Sequence, residues 1–516
     1  MTMTDHSSTN NASEQKSESM ATALGAESVD QDEAVGEHEL LRPKVHFRFW
    51  QTLGLNFSLT CTAMAIGAYL SLIQGLGGFP YFFWCFVFAG SFQLLLGVTV
   101  AELASAMPHS SGPAYWVKVL SPPKYSQFLE YLVGWLTICV YWFITTGNTL
   151  YLAETTVGWV EACYLDYTAT QWQIYLVSVA WAVLLAAMNL PGPFKLLPHL
   201  MSAGIVLINC SWIFILIAML SRVENKNSAK TAFVDVINES GWSSNGVVFF
   251  LAILPGILSV SGFDAVTHIT DEVPNPKKDI PQVILASTGL SAVTGLAMVI
   301  MYAFCTVNPE VLLAPYANQP IINVLQDGLR SDALFHVAMT AYLVTMYIAS
   351  VAAFTGWNRL YWSFSRANGL PWSRFTAKLS GNDRIPVYAV IANLVMVVVL
   401  DALGIPSLTA LNAIFGSSSI CALTSYSLSL FLAIRRGRGF LNPDRWLNLG
   451  QAGLPMQCIA LVWAVFASVW LCFPLYLPVT PEYMNWSSVI MTGIALFATV
   501  YYLVFHKHIA AHDFYA

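Results

Sequence analysis

Residues 130–154 read EYLVGWLTICVYWFITTGNTLYLAE, a stretch with an acidic residue at each end and neither Lys nor Arg between them. They lie within a longer segment, between Lys124 and Lys195, that also lacks both basic residues. A helix needs about 20 apolar residues to cross a bilayer, and a charge at its centre costs roughly 2.5 to 3.5 kcal/mol on insertion scales. Residues 130–154 therefore predict a transmembrane helix.

The rest of the chain repeats this pattern. Four more segments lack Lys and Arg (49–117, 279–329, 385–434 and 446–506), and each is long enough for two crossings and a turn. Overall, 56% of the residues are hydrophobic and 10% are charged, whereas soluble proteins are about a quarter charged. We predict an all-α integral membrane protein with twelve spans, near residues 50–73, 81–106, 130–154, 172–190, 196–220, 246–268, 282–306, 334–360, 386–402, 407–433, 456–475 and 487–505.

Basic residues predict the orientation. With a cytoplasmic N-terminus, 19 of the 23 Lys and Arg residues fall on the cytoplasmic side, as the positive-inside tendency requires. Residues 1–48 are acidic and rich in Ser, which predicts a disordered cytoplasmic tail, and residues 506–516 form a second one. The plasma membrane is the expected location, with the vacuole or another endomembrane as the alternative.

Enzymatic chemistry has little support in the sequence. The longest predicted outer loops, 221–245 and 307–333, are too short for a catalytic domain, and the phosphate-binding pattern G-x-x-x-x-G-K-[ST] is absent. The nine cysteines include no C-x-x-C pair. We expect no enzyme activity, metal, cofactor or nucleic-acid partner. The expected partners are the lipid bilayer, a small-molecule substrate and a proton.

Two spans show signs of interruption near mid-membrane. Span six reads FLAILPGILSVSGFDAVTHI over residues 250–269, with Pro255 and Gly262 near its middle, and span one reads GLNFSLTCTAMAIGAYLSL over 54–72, with small residues around Cys61. Paired broken helices in two halves of a transporter indicate its binding site, although small residues also simply permit close helix packing. Because the two spans are five apart, they predict an inverted repeat: repeat one 49–220, repeat two 246–433, and two added helices within 456–505.

A broken helix exposes N–H groups at the start of one half and carbonyl groups at the end of the other. The N–H groups suit a carboxylate, and the carbonyl groups suit an ammonium group. The predicted substrate-binding residues at the breaks are Thr62, Ala63, Met64, Ala65, Ser259 and Gly262.

Three motifs resemble those of a known family. ELASAMPHSSGPAYW (102–116) resembles the permease pattern E-x-x-S-x-x-P-x-[SA]-G-G-x-Y-x-W, and GFDAVTHITDEVPNPKKDIPQVI (262–284) and NRLYWSFSRANGLPWSRF (358–375) are similar to two further permease elements. Together they resemble the amino acid/polyamine/organocation superfamily, most closely its fungal amino acid/choline branch. The resemblance covers about residues 47–505 and implies a twelve-helix, five-plus-five inverted repeat with transport usually driven by protons. The sequence departs from the pattern at Pro113, and it has Leu258 where bacterial arginine exchangers carry a stacking Trp.

Ionisable residues at membrane depth are candidates for proton coupling. Asp264 and His268 lie one helical turn apart on span six, and Glu102 ends span two. A carboxyl group removed from water holds a proton more readily, so Asp264 and Glu102 are the predicted coupling residues. The alternatives are that Asp264 is a structural hydrogen-bond partner and that Glu102 caps a cytoplasmic helix end.

Aromatic residues at mid-depth suggest the substrate. Tyr141, Trp142, Phe263 and Tyr347, with the small residues 416–419, are expected to line the site, and aromatic faces attract quaternary ammonium groups. We therefore predict a proton-coupled secondary transporter for a small amine or amino acid, such as choline or GABA. The alternatives are efflux of an alkaloid-like amine and a nutrient sensor without transport. The sequons at Asn238 and Asn485 fall on predicted outer loops and are the expected glycosylation sites.

Overall fold

The computed structural model describes residues 47–164, 166–405, 408–481 and 484–506. Within these residues, eleven helices are long and apolar enough to cross a membrane, and a shorter apolar helix covers Asn245–Ser259. Together they account for the twelve predicted spans and confirm an all-α membrane protein. The predicted N-terminal tail, apart from Phe47 and Arg48, and residues 507–516 of the C-terminal tail lie outside the described residues.

The spans are numbered in chain order. They are Phe49–Leu72, Gly78–Ala106, Pro123–Cys163, Gln171–Met188, Pro193–Arg222, Asn245–Ser259, Pro276–Cys305, Asp332–Arg366, Val387–Gly404, Leu408–Arg436, Gly450–Trp470 and Ser487–Phe505. Span six continues beyond its break as the 3₁₀ helix Ala265–Glu272. Span three is longer than the predicted 130–154 because an apolar run marks only the part of a helix inside the bilayer.

Short elements connect the spans. The helices Pro113–Leu120 and Ser373–Thr376 lie on the predicted cytoplasmic side, and Ala229–Phe233 and Pro320–Leu329 lie on the predicted outer side. One antiparallel strand pair joins Leu76–Gly77 to Ile237–Asn238, so Leu76 faces Asn238 across the pair. The sequence analysis did not predict this pair, because two-residue strands carry no alternating pattern.

Packing follows the predicted repeat. Span two packs against span seven, span three against span eight, and span four against span nine. These are the equivalent members of two five-helix units, so the contacts are those of two repeats that face each other. Span one is the most buried of the long spans and span twelve the most exposed, which places the break in span one inside the bundle. The repeat boundaries 49–220 and 246–433 stay a prediction.

Candidate functional site

The break in span one occurs at Cys61. The helix Phe49–Thr60 ends there, and a new helix begins with Thr62–Ala65. Cys61 has φ 35° and ψ 36°, in the left-handed region that costs a non-glycine residue about 1 to 2 kcal/mol. Its N–H still donates to the carbonyl of Phe57 at 3.0 Å, which caps the first half of the span. The first half of the span therefore ends in a local hydrogen bond, without a proline or glycine at the break.

The break in span six follows Ser259. The helix Leu254–Ser259 ends, and helical structure resumes only at Ala265. Gly262 lies between them with φ +81°, and a Cβ atom there would approach Leu59 Cδ2 to 2.5 Å. The positive φ requires glycine, because an L side chain there would be strained, and an added Cβ would also displace the flexible end of Leu59.

The two breaks contact each other directly. The Thr62 hydroxyl donates to the carbonyl of Ser259, so the end of one half-helix meets the start of another. Asn56 Nδ2 donates to the carbonyl of Phe263 at 3.1 Å, and Asn56 Oδ1 accepts from the N–H of Val266 at 3.1 Å. Asn56 therefore satisfies backbone groups that the break in span six leaves outside a helix. The sequence analysis missed it, since an isolated Asn in an apolar span signals no partner.

Asp264 lies immediately after the break in span six and is 2% exposed. The Tyr141 hydroxyl donates to its Oδ1 at 2.9 Å, and His268 Nε2 lies 3.8 Å from its Oδ2. The Tyr426 hydroxyl of span ten is a further hydrogen-bond partner. His268 is held from its other side by a 2.9 Å contact between Nδ1 and the carbonyl of Ser110. Within the described ranges, no Lys or Arg forms an ion pair with Asp264.

Two tyrosines bind this carboxylate through their hydroxyl groups, and one of them stacks on Phe263. Phe263 stacks on Tyr426 with ring centroids 5.5 Å apart, and Tyr141 meets His268 edge-on at 5.0 Å. We call Tyr141, Phe263 and Tyr426 the aromatic cluster. Tyr426 was not predicted, since only the small residues 416–419 of span ten were expected to line the site. Position 426 lies on the same face as 419, two turns later.

The other two predicted aromatic residues lie elsewhere. The Trp142 indole donates to the carbonyl of Met396 on span nine at 3.0 Å. The Tyr347 ring packs against Trp181 of span four at 5.6 Å. Successive residues of a helix point about 100° apart. Because Tyr141 faces Asp264, its neighbour Trp142 must face another direction. The structure does not bring Trp142 and Tyr347 into the aromatic cluster.

Glu102 has a different environment from Asp264. Its carboxylate is buried and accepts from Arg438 Nη1 at 2.7 Å, Arg445 Nε at 3.3 Å and the N–H of Leu449 at 3.0 Å. These partners belong to the segment between spans ten and eleven, on the predicted cytoplasmic side. These hydrogen bonds and ion pairs fit the alternative role of Glu102, in which it caps a cytoplasmic helix end. Its coupling role stays a prediction, and the geometry favours Asp264.

The side-chain amide groups of both predicted glycosylation sites form hydrogen bonds. Asn238 Nδ2 donates to the carbonyl of Trp242 at 2.8 Å, and Asn485 Nδ2 donates to the carbonyl of Leu471 at 2.7 Å. Each side chain thus stabilises its own loop in the folded protein. Glycosylation at these residues stays a prediction.

Comparison with known proteins agrees with this architecture. The profile of the amino acid permease family matches residues 47–496. The chain is 28% identical to a choline transporter of Saccharomyces cerevisiae over 88% of this chain and 80% of the relative. It is 25% identical to amino-acid permease 2 of Neurospora crassa, with 90% and 85% covered. It is also 25% identical to a swainsonine transporter of Arthroderma benhamiae, with 92% and 94% covered. The chain therefore belongs to the amino acid permease family, within the superfamily that its motifs resemble, and is a multi-pass membrane transporter.

Proposed function

We propose that the chain is a proton-coupled secondary transporter that carries a small amine, such as choline, by alternating access. The observation that carries the proposal is Asp264, a buried carboxylate at a helix break with no described Lys or Arg paired to it. An unpaired charge removed from water is costly, so such a group is neutralised by a proton or by a cation that it binds. Asp264 can therefore exchange a proton as the site opens to each side.

The aromatic cluster favours a cationic substrate. Phe263 and Tyr426 form a stacked pair beside the carboxylate, and Tyr141 adds a third ring. A quaternary ammonium group has no N–H to donate and is best held by ring faces, each worth roughly 0.5 to 2 kcal/mol. The similarity to the yeast choline transporter supports this substrate class. An amino acid such as GABA would instead place its carboxylate at the N–H groups that begin at Thr62.

A competition experiment tests the substrate class. Labelled choline uptake is measured against unlabelled choline, GABA, basic amino acids and thiamine-like cations for Phe263→Leu and Trp142→Leu. We expect Phe263→Leu to raise the half-saturating choline concentration roughly 2- to 30-fold, the equivalent of 0.5 to 2 kcal/mol. Trp142→Leu is the matched control, because its indole contacts span nine. Equal choline affinity in both variants, at equal surface expression, would exclude the aromatic cluster and favour the backbone of residues 62–65 and 259–262.

Efflux is a second candidate, favoured by the similarity to the swainsonine transporter. The same site would then release an alkaloid-like amine from the cell in exchange for entering protons. Preloaded cells separate the two directions. Faster loss of a labelled amine under an inward proton gradient supports efflux, whereas accumulation under the same gradient supports uptake. Binding of every amine without movement in either direction would instead indicate the sensor.

A further inference from the structure

Span two packs along the first half of span six through residues one helical turn apart. Cys85 Sγ donates to the carbonyl of Phe249 at 3.2 Å. One turn later, a Cβ atom on Gly256 would lie 2.9 Å from Ala89 Cβ, so this glycine permits close contact between the two helices. Gln93 follows after one more turn and is 1% exposed. Positions 85, 89 and 93 therefore share one face of span two, and Gln93 reaches span six where its first half ends.

The Gln93 amide binds the last turn of that half. Gln93 Nε2 donates to the carbonyl of Ile257 at 3.1 Å and to the Ser261 hydroxyl at 3.0 Å. In an unbroken helix the Ile257 carbonyl would accept from the N–H of Ser261, but here that N–H donates to Leu258 at 3.2 Å. The carbonyl keeps only a 3.4 Å backbone bond from Val260, so the amide of Gln93 takes the place of the missing helical donor.

The neighbours of Gln93 fix the orientation of its amide. The Ile257 carbonyl can only accept a hydrogen bond, so it faces the NH₂ group. The Trp463 indole can only donate, and its Nε1 donates to Gln93 Oε1 at 3.4 Å. Trp463 belongs to span eleven, and its ring stacks on Phe92 with centroids 4.9 Å apart, which holds the indole beside Gln93. Both N–H groups of the amide are thus used at the break and its oxygen at span eleven.

We infer that Gln93 is a positioning residue for the break in span six, and that Trp463 joins span eleven to it. This rests on the proposed transport, in which the break forms part of the substrate site. Gln93 fixes the backbone before the break, whereas Asn56 holds the backbone groups of residues 263 and 266 after it. Span eleven lies outside the two predicted repeats, and this contact connects it to the site.

Hydrogen–deuterium exchange of the purified full-length protein tests the positioning without any transport. Gln93→Met keeps the length of the side chain and removes the amide, so the break loses two hydrogen bonds. We expect the backbone N–H groups of residues 258–265 to exchange roughly 2- to 10-fold faster than in the parent. Gln457→Met is the matched control, because Gln457 is also buried but donates to Glu102 instead.

Choline uptake separates positioning from a general loss of stability. A less stable transporter lowers the number of active molecules and hence the maximal rate, whereas a misplaced break raises the half-saturating choline concentration. We expect Gln93→Met to raise that concentration roughly 2- to 10-fold at equal surface expression. Trp463→Phe keeps Gln93 and removes only the indole N–H, so its effect should be smaller. Its control is Trp470→Phe, because Trp470 lies on the same helix and packs against Phe250.

Defined results would overturn each part of the proposal. Unchanged exchange in Gln93→Met, or an equal increase in Gln457→Met, would exclude Gln93 as the positioning residue. Equal half-saturating concentrations in Trp463→Phe and Trp470→Phe would exclude span eleven. If Gln93→Met does not fold, faster exchange of residues 258–265 in Trp463→Phe than in Trp470→Phe supports the proposal, and equal exchange overturns it. If the parent protein fails to accumulate choline under a proton gradient, the proposed function fails, but the exchange result still decides whether Gln93 positions the break.

Discussion

Among single residues, Asp264 is the one on which the proposed proton coupling depends. Replacing it with Asn keeps the size of the side chain and an acceptor for Tyr141 but removes the titratable group. We expect Asp264→Asn to lose accumulation driven by a pH gradient while surface expression is retained. Exchange of labelled for unlabelled substrate should persist or be lost together with accumulation. Accumulation is measured as the ratio of internal to external substrate in vesicles with an acidic exterior.

Tyr141→Phe is the companion variant. It removes the hydroxyl that donates to Asp264 and leaves the ring in the aromatic cluster. A hydrogen bond to a charged group contributes about 1.5 to 3 kcal/mol, so its loss leaves the Asp264 carboxyl group less firmly held. We expect weaker accumulation under a pH gradient with little change in choline affinity. If Asp264→Asn still accumulates substrate normally under a pH gradient, Asp264 is not the coupling residue, and Glu102 becomes the next candidate for coupling.

Residue placement was only partly predictable. Asp264 was predicted from its ionisable side chain at membrane depth and Phe263 from its aromatic ring at mid-depth. Trp142 and Tyr347, predicted on the same ground as Phe263, contact spans nine and four instead. A soluble helix reveals its buried face by alternating polar and apolar residues, whereas both faces of these spans are apolar. Their sequences therefore cannot say which aromatic residue faces the site.

At the scale of elements, the break in span six depends on Gly262. Ala would meet Leu59 at 2.5 Å and adopt φ +81°, so we expect Gly262→Ala to lower the melting temperature and reduce uptake severely. Gly289→Ala in span seven is the matched control, because nothing lies within 4 Å of its added Cβ. Uptake and thermal stability of the two purified variants are compared with those of the parent. Equal uptake and equal melting temperatures in the two variants would show that the break tolerates a side chain at position 262.

The two breaks differed in how well the sequence revealed them. Pro255 and Gly262 mark span six, because proline lacks an N–H and glycine permits positive φ. Span one breaks at Cys61, a residue with no preference for the left-handed region. Its break is imposed by tertiary contacts such as the hydrogen bond from Thr62 to Ser259. Only the equivalence of the two repeats allowed it to be predicted.

At the scale of the whole molecule, buried ion pairs join distant segments on the predicted cytoplasmic side. Glu102 binds Arg438 and Arg445, and Glu272, at the end of span six, binds Arg359 of span eight at 2.8 Å. The sequence places all of these residues on this side but does not pair them, since the partners lie 87 to 343 positions apart. The Glu272 pair connects the second half of span six to span eight.

Breaking one of these pairs should destabilise the fold. Arg438→Gln leaves the buried Glu102 with fewer cationic partners, and we expect a loss of about 3 kcal/mol in unfolding free energy. Adding Glu102→Gln should restore part of that loss, because the buried carboxylate is then removed and only Arg445 loses an ion-pair partner. Lys230→Gln is the control, since its pair with Asp235 is exposed and contributes little. A double variant as unstable as Arg438→Gln would contradict this assignment.

The proposed function requires a proton gradient to drive the movement of a small amine through this protein. The most direct measurement is uptake of labelled choline by proteoliposomes that contain only the purified chain, with an acidic exterior and a neutral interior. We predict accumulation above the external concentration, its collapse on addition of a protonophore, and its absence in vesicles containing Asp264→Asn. Accumulation that is the same with and without the pH gradient, or binding of choline with no uptake at all, would contradict the account.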